Sequence, residues 1–157
     1  MSSGGKIHKF AADRMLGRLA KWLRIIGQDV IYGPHLSGRG LIHAARLEER
    51  LILTRDRGLT QKQPPELLFI ESNDYREQLQ QVVEACCLDS KESLFTRCLA
   101  CNTLLQARSK ASVEALVPPY VFLTQERFFW CAACQRVYWQ ATHHQRMAQE
   151  LQKMGLG

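Results

Sequence analysis

The 157-residue sequence contains no run of apolar residues approaching the roughly 20 that a membrane-spanning helix requires. No apolar signal-peptide core opens it, and it has no internal repeat and no low-complexity tract. These absences argue against a membrane-spanning or secreted protein and point to a globular, cytoplasmic one, with Met-Ser-Ser-Gly-Gly at the start as a flexible leader or an appended remnant. A basic excess is also missing from most of the chain: residues 61–157 carry 10 Lys and Arg against 10 Asp and Glu. The whole net charge of +6 therefore comes from residues 1–60, where 11 basic side chains face 5 acids. A basic surface so localised suits a polyanion binder, the ordinary alternative being a solvated face.

Against this background the cysteines are conspicuous. Four of the six form two matched pairs, Cys98-x2-Cys101 and Cys131-x2-Cys134, separated by 29 residues. Each Cys-x2-Cys turn places two thiolates on one side of a tight loop, and two such turns complete the tetrahedron that Zn²⁺ prefers. Disulfides or a redox dithiol are the competing readings, and disulfides belong to secreted chains. Four thiolates leave no open coordination position, so a zinc ion here folds the segment and does no chemistry. The intervening residues have room for one or two β-hairpins.

The other half of the chain alternates strands and helices. Residues 7–12 read as a strand running into Asp13. From 13 to 26 the apolar Leu16, Leu19, Leu23 and Ile26 keep helical spacing, with Asp13 as a plausible N-cap and Gly27 as a stop. A second strand follows over 29–32, a loop over 33–40, and a helix over about 41–49. Strands at 51–54 and 67–70 and a helix at 75–87 complete the pattern, with Asn73 or Asp74 capping the last and Leu79, Val82 and Val83 facing inward. Such alternation implies right-handed crossovers and a parallel sheet with helices on both faces. The predicted architecture is α/β, a parallel-sheet domain over residues 6–90 followed by a small four-cysteine domain over 94–150 that ends in a helix. That terminal helix is expected over 145–154, with Met147, Leu151 and Met154 on one side.

In a parallel sheet, sites form outside the carboxyl ends of the strands. Asp13, Asp56 and Asp74 all follow strands on this reading, whereas Asp29 starts one and lies at the opposite edge. Carboxylates gathered at one edge repel each other unless a cation is bound, and hard oxygen ligands select Mg²⁺ or Mn²⁺. Such a cluster suits phosphodiester hydrolysis. Taken singly, Asp13 and Asp74 need be no more than helix caps and Asp56 no more than a loop residue. Beside them, Arg14, Arg18 and Lys21 follow i, i+4, i+7 spacing with Arg24 close by, and Arg55 and Arg57 flank Asp56. These are candidate phosphate contacts. A solvated face, or salt bridges to the acids, would account for them equally.

Several of these segments together resemble a known family. Ala12-Asp-Arg-Met-Leu-Gly-Arg-Leu-Ala-Lys-Trp-Leu-Arg24, Leu51-Ile-Leu-Thr-Arg-Asp-Arg-Gly-Leu59, Arg97-Cys-x-x-Cys-Asn102, and Cys131-x-x-Cys134 with Val137-Tyr-Trp139 are similar to the Mut-seven C-terminal ribonuclease domain, over residues 7–150 in unbroken order. The resemblance implies a PIN-fold nuclease fused to a zinc ribbon, with Asp13 and Asp56 as catalytic metal ligands, Cys98, Cys101, Cys131 and Cys134 as zinc ligands, and RNA as substrate. The chain departs from the family pattern at Gly40, where members usually carry an acid, and over 140–143, where Gln-Ala-Thr-His replaces a Gly-Ser-His segment. Glu48 and Glu49 lie about two helical turns beyond Gly40, roughly 12 Å away, too far to substitute.

Two function classes follow. One is a Mg²⁺- or Mn²⁺-dependent ribonuclease using Asp13, Asp56 and Asp74. The other is a catalytically impaired RNA-binding or partner-binding module derived from such a nuclease. Among smaller features, His143 and His144 are candidate phosphate contacts or a fifth zinc ligand, with His143 read as a structural hydrogen-bonder because four cysteines already complete the site, and Cys86 and Cys87 read as apolar packing residues. Tyr138 and Trp139 either stack on bases or pack the ribbon against the nuclease half.

Overall fold

The computed structural model describes residues 8–62, 64–89, 91, 93–140 and 142–156, with Thr142 and His143 described for the backbone only. Residues 1–7 and the His143 side chain lie outside the described residues. The chain divides into two compact units, Met1–Phe95 and Thr96–Gly157. No helix among the described residues is long and apolar enough to cross a membrane.

The first unit opens with β1 (Lys9–Ala12), whose last three residues are buried. A single 3-10 turn, Arg14–Leu16, leads into α1 (Gly17–Ile25). The predicted helix over 13–26 is thus split. Leu16, Leu19, Leu23 and Ile26 are all buried as their spacing implies. The chain leaves α1 through Gly27 at φ +89, where a Cβ would lie 2.4 Å from the Ser93 carbonyl oxygen. Only glycine suits that combination of left-handed backbone and close approach.

β2 (Asp29–Ile31) pairs with β1, and α2 (Gly38–Glu48) follows a short loop. α2 begins earlier than the predicted 41, because Gly38 takes φ +53 and turns the chain into the helix directly after Ser37. β3 (Leu51–Thr54) pairs with the other side of β1. A one-turn helix, α3 (Arg57–Thr60), precedes β4 (Leu67–Phe69), and α4 (Tyr75–Cys86) ends the unit's regular structure.

All pairings in this sheet are parallel, in the order β2-β1-β3-β4. The chain moves outward from β1 to β2 and then crosses back to β3, so the right-handed crossover rule puts α1 and α2 on opposite faces. Packing agrees: Ala11 and Ile52 bury against Leu41, Ile42 and Ala45 of α2 and Leu59 of α3, whereas α1 packs with α4. At the amino edge the buried Arg50 donates to Asp29 Oδ1 at 2.7 Å, to the Phe10 carbonyl at 3.2 Å, and to Glu48. Asp29 therefore closes an ion pair at the end of the sheet remote from Asp13.

The second unit holds a three-stranded antiparallel sheet, β5 (Gln106–Arg108), β6 (Phe128–Cys131) and β7 (Arg136–Trp139), in that order. A 3-10 segment, Lys110–Leu116, and α5 (Pro119–Thr124) fill the β5–β6 connection, and α6 (Thr142–Lys153) follows β7. Val113, Val117, Val121 and Phe128 form a small core on which Phe122, Val137 and Trp139 pack. Leu151 and Met154 are buried and Met147 is half-buried.

Candidate active site and metal centre

The reversal of strand order falls between β1 and β3, and in open α/β sheets the crevice outside the carboxyl ends at such a point is where ligands bind. Asp13 and the Thr54–Asp56 segment sit there. The β1–β3 register pairs Ala11 with Ile52 and Ala12 with Leu53. Continued by one residue, it sets Asp13 opposite Thr54. The Asp13 N–H donates to the Leu53 carbonyl at 2.9 Å, extending the ladder, and the Thr54 hydroxyl donates to Asp13 Oδ2 at 2.9 Å.

Thr54 is fully buried and spans the two acids. Its oxygen also accepts the Asp56 N–H at 3.0 Å. By sequence alone Thr54 is only the end of a strand. The available signal is a hydroxyl closing an otherwise apolar strand, immediately before an acid.

The turn that carries Asp13 is held from a second side. The Arg14 N–H donates to the Leu36 carbonyl at 3.1 Å, and the Tyr32 hydroxyl donates to the Arg14 carbonyl at 2.8 Å. Asp13 itself is only 2% exposed. Besides Thr54, its carboxylate accepts one long bond, 3.4 Å from the Met15 N–H. No basic side chain among the described residues pairs with it. A buried carboxylate so placed lacks the countercharge that burial normally demands.

Asp56 and Asp74 differ from it in setting. Both are exposed, and both cap helices: Asp56 Oδ1 accepts the Gly58 N–H at 2.9 Å, and Asp74 Oδ1 accepts the Arg76 N–H at 2.8 Å. Asp74 lies on the loop beyond the edge strand β4 and lines a cavity of about 270 Å³ with Met15, Arg18, Asn73 and Tyr75. The three aspartates share one sheet edge without converging. Among the described residues, the one group of three or more potential metal ligands whose ligand atoms all lie within 4.8 Å of each other is the four cysteines.

The basic residues are placed more diversely than their spacing suggests. Arg14, Arg18 and Lys21 are exposed on α1 and its preceding turn. Arg18 stacks over the Tyr75 ring at 3.9 Å, Arg76 covers the same ring at 4.7 Å, and Trp22 stacks with it at 5.9 Å. Arg24 is the exception and corrects the sequence reading. It is buried, and its Nε and Nη2 donate to the Val30 carbonyl at 3.0 and 2.9 Å. Three residues beyond Lys21 fall about 60° short of a full turn, enough to swing Arg24 off the basic stripe and against β2. Arg55 donates to the Ile70 carbonyl at 3.2 Å and Arg57 lies over the Phe69 ring at 5.0 Å, so each is anchored beside Asp56.

Gly40 is the third residue of α2 and is exposed. A Cβ there would meet the His35 carbonyl oxygen at 3.0 Å. Glu48, bound to Arg50 at the far end of the helix, does not reach this edge.

In the second unit the cysteine sulfurs lie 3.8 Å apart between Cys98 and Cys134 and 3.4 Å apart between Cys101 and Cys131. All four cysteines are free. A tetrahedral Zn²⁺ with bonds of about 2.3 Å separates its sulfurs by about 3.8 Å, whereas a disulfide needs about 2.05 Å. The cluster fits the ion, and these four side chains can hold it in a zinc ribbon. Burial pushes the Cys101 thiol up, but the hydroxyl and backbone of Thr103 and the neighbouring cysteines bring it down to about 6, while hydrogen bonding with Cys101 and burial push Cys134 up to about 12. Cys101 is held low while Cys131 and Cys134 are pushed up, a conflict that a bound cation would resolve.

Hydroxyls surround the cluster. Tyr138 Oη is 2.9 Å from Cys98 Sγ, and Thr103 Oγ1 is 3.2 Å from Cys101 Sγ. Tyr138 thus serves the cysteine centre, and Trp139 packs into the second unit's own core. Cys86 and Cys87 correct the packing expectation in part, since Cys86 is half-buried and Cys87 is exposed at φ 52, closing α4.

No curated protein and no solved structure matches the chain significantly. The family model of the Mut7-C RNAse domain matches residues 8–151, a span that holds the Asp13–Thr54–Asp56 edge and both cysteine pairs. The chain belongs to the Mut7-C RNAse domain family.

Proposed function

We propose that the chain is a metal-dependent ribonuclease, its first unit PIN-like and acting through Asp13, Asp56 and Asp74, its second unit a ribbon folded around Zn²⁺. The observation that carries this reading is Asp13: a 2% exposed carboxylate at the switch point of a parallel sheet, hydrogen-bonded by a buried hydroxyl and lacking a basic partner among the described residues. Asp13 and Asp56 would hold Mg²⁺ or Mn²⁺, with Asp74 as the outer carboxylate. When bound, the cation polarises the phosphodiester and makes water a nucleophile at neutral pH. Thr54 fixes the Asp13 carboxylate and the Asp56 backbone in one bond network, which sets the spacing of the two acids. Arg14, Arg18 and Lys21 on one side, and Arg55 and Arg57 on the other, position the strand by its phosphates.

Gly40 favours a second reading, a binding module that has kept the RNA surface and lost turnover, since neither Gly40 nor the Arg50-bound Glu48 supplies a further carboxylate at the edge. Cleavage of labelled single-stranded RNA in Mn²⁺ decides between them. Asparagine preserves size and removes charge, so Asp13→Asn and Asp56→Asn should each abolish most of the wild-type rate while leaving the zinc content unchanged. RNA bound but not cut by the wild type would establish the binding module. Cleavage undiminished in both variants would place the active site elsewhere.

A further inference from the structure

On the face of the sheet opposite α1, a cavity of about 470 Å³ is lined by Arg39, Ile42, His43, Arg46 and Lys62. Arg39, His43 and Arg46 follow i, i+4, i+7 spacing along α2, and Lys62 approaches from the turn after α3, so two separate elements direct basic side chains at one space. The described residues that line it include no carboxylate. The side chains of Arg39, His43 and Lys62 make no hydrogen bond or ion pair among the described residues. Basic groups held around one concavity repel each other in the absence of an anion. Its floor, Ile42, is part of the α2 core and is 8% exposed, which fixes the helix face that carries the groove.

The position of the groove is as informative as its charge. α2 starts on the carboxyl side of the sheet, where the loop before it is tied to Arg14 through Leu36, and α3 is capped by Asp56. From Arg39 to Arg46 the helix advances about 10 Å away from that edge. A strand crossing the switch point would meet Arg14, Arg18 and Lys21 on the α1 face and this groove on the α2 face.

We propose that the α2 groove is a second phosphate-binding site for single-stranded RNA, holding the backbone on the far side of the Asp13–Asp56 edge from the α1 stripe. The inference rests on the reading of RNA as the ligand and extends it to a surface that the sequence analysis leaves unassigned.

The test is fluorescence anisotropy of a labelled single-stranded RNA across a salt series, with wild type, Arg39→Glu/Lys62→Glu and Arg14→Glu/Arg18→Glu. Glutamate near the start of α2 favours the helix dipole, and circular dichroism with zinc content verifies the fold. The expected result is at least a tenfold loss of affinity in the groove variant, with the salt slope shallower by about 1.4, two contacts at about 0.7 each. Wild-type affinity and slope in the groove variant, beside a loss in the α1 variant, would overturn the groove and leave the RNA reading standing. No RNA binding by the wild type would overturn both. Tight wild-type binding of polyglutamate without RNA binding would overturn the proposal in favour of an acidic protein partner.

Discussion

The Thr54 hydroxyl donates to Asp13 Oδ2 at 2.9 Å in the buried seam between β1 and β3. It is the shorter of the two bonds to that carboxylate, and the same oxygen accepts the Asp56 N–H. Thr54→Val keeps the shape and removes the hydroxyl, leaving a buried carboxylate underserved at a cost of about 1–3 kcal/mol. The expected outcome is a lower denaturation midpoint and a loss of Mn²⁺-dependent cleavage, with Thr54→Ser restoring much of both. Equal stability and rate in Thr54→Val would remove the hydroxyl from the site.

Gly40→Glu tests the missing acid directly. Replacing glycine inside α2 contributes up to about 1 kcal/mol of helix propensity, against which the new Cβ must displace the His35 carbonyl by a few tenths of an ångström. Stability should therefore change little. Cleavage rate and the thermal stabilisation produced by Mn²⁺ should both rise. A folded variant in which neither rises would show that the position is no ligand site.

Zinc removal should act on one unit alone. One zinc per chain is expected by elemental analysis, and chelation should expose residues 96–157 to protease while the parallel sheet survives, because a ribbon with so small a core would draw its folding energy from the bound ion. Tyr138→Phe removes a hydroxyl next to Cys98 Sγ and should weaken zinc binding about 10- to 100-fold, the usual effect of losing an outer partner of a ligand. Retention of zinc by a Cys98→Ser/Cys131→Ser variant would contradict the four-cysteine centre.

Gly27→Ala should destabilise the first unit by roughly 2–4 kcal/mol, combining overpacking with left-handed backbone. At φ +89 its Cβ would lie 2.4 Å from a backbone carbonyl that cannot rotate away. A chemical-denaturation midpoint within error of wild type would mean that the Ser93 segment moves freely.

Features that depend on local spacing were legible in the residues alone. Apolar residues three and four apart placed the core face of α1, and apolar runs between breaks marked β3 and β4. Two Cys-x2-Cys turns marked the four-cysteine cluster, because sulfur geometry within a tight turn is set by its own few residues. Positions following strands brought Asp13 and Asp56 to one edge, since a parallel sheet aligns all its carboxyl ends.

What those residues touch follows from packing across the fold. Thr54 meets Asp13 only through the register of β1 on β3, a pairing between segments 41 residues apart. Arg24 departs from the basic stripe because β2 packs close enough to claim its guanidinium. The aspartates share an edge without converging, since strand order and loop length set their separation. The α2 groove needs Lys62 from a different element. In each case the deciding quantity is a distance across the fold, which depends on how whole elements pack and leaves no trace in the spacing of neighbouring residues.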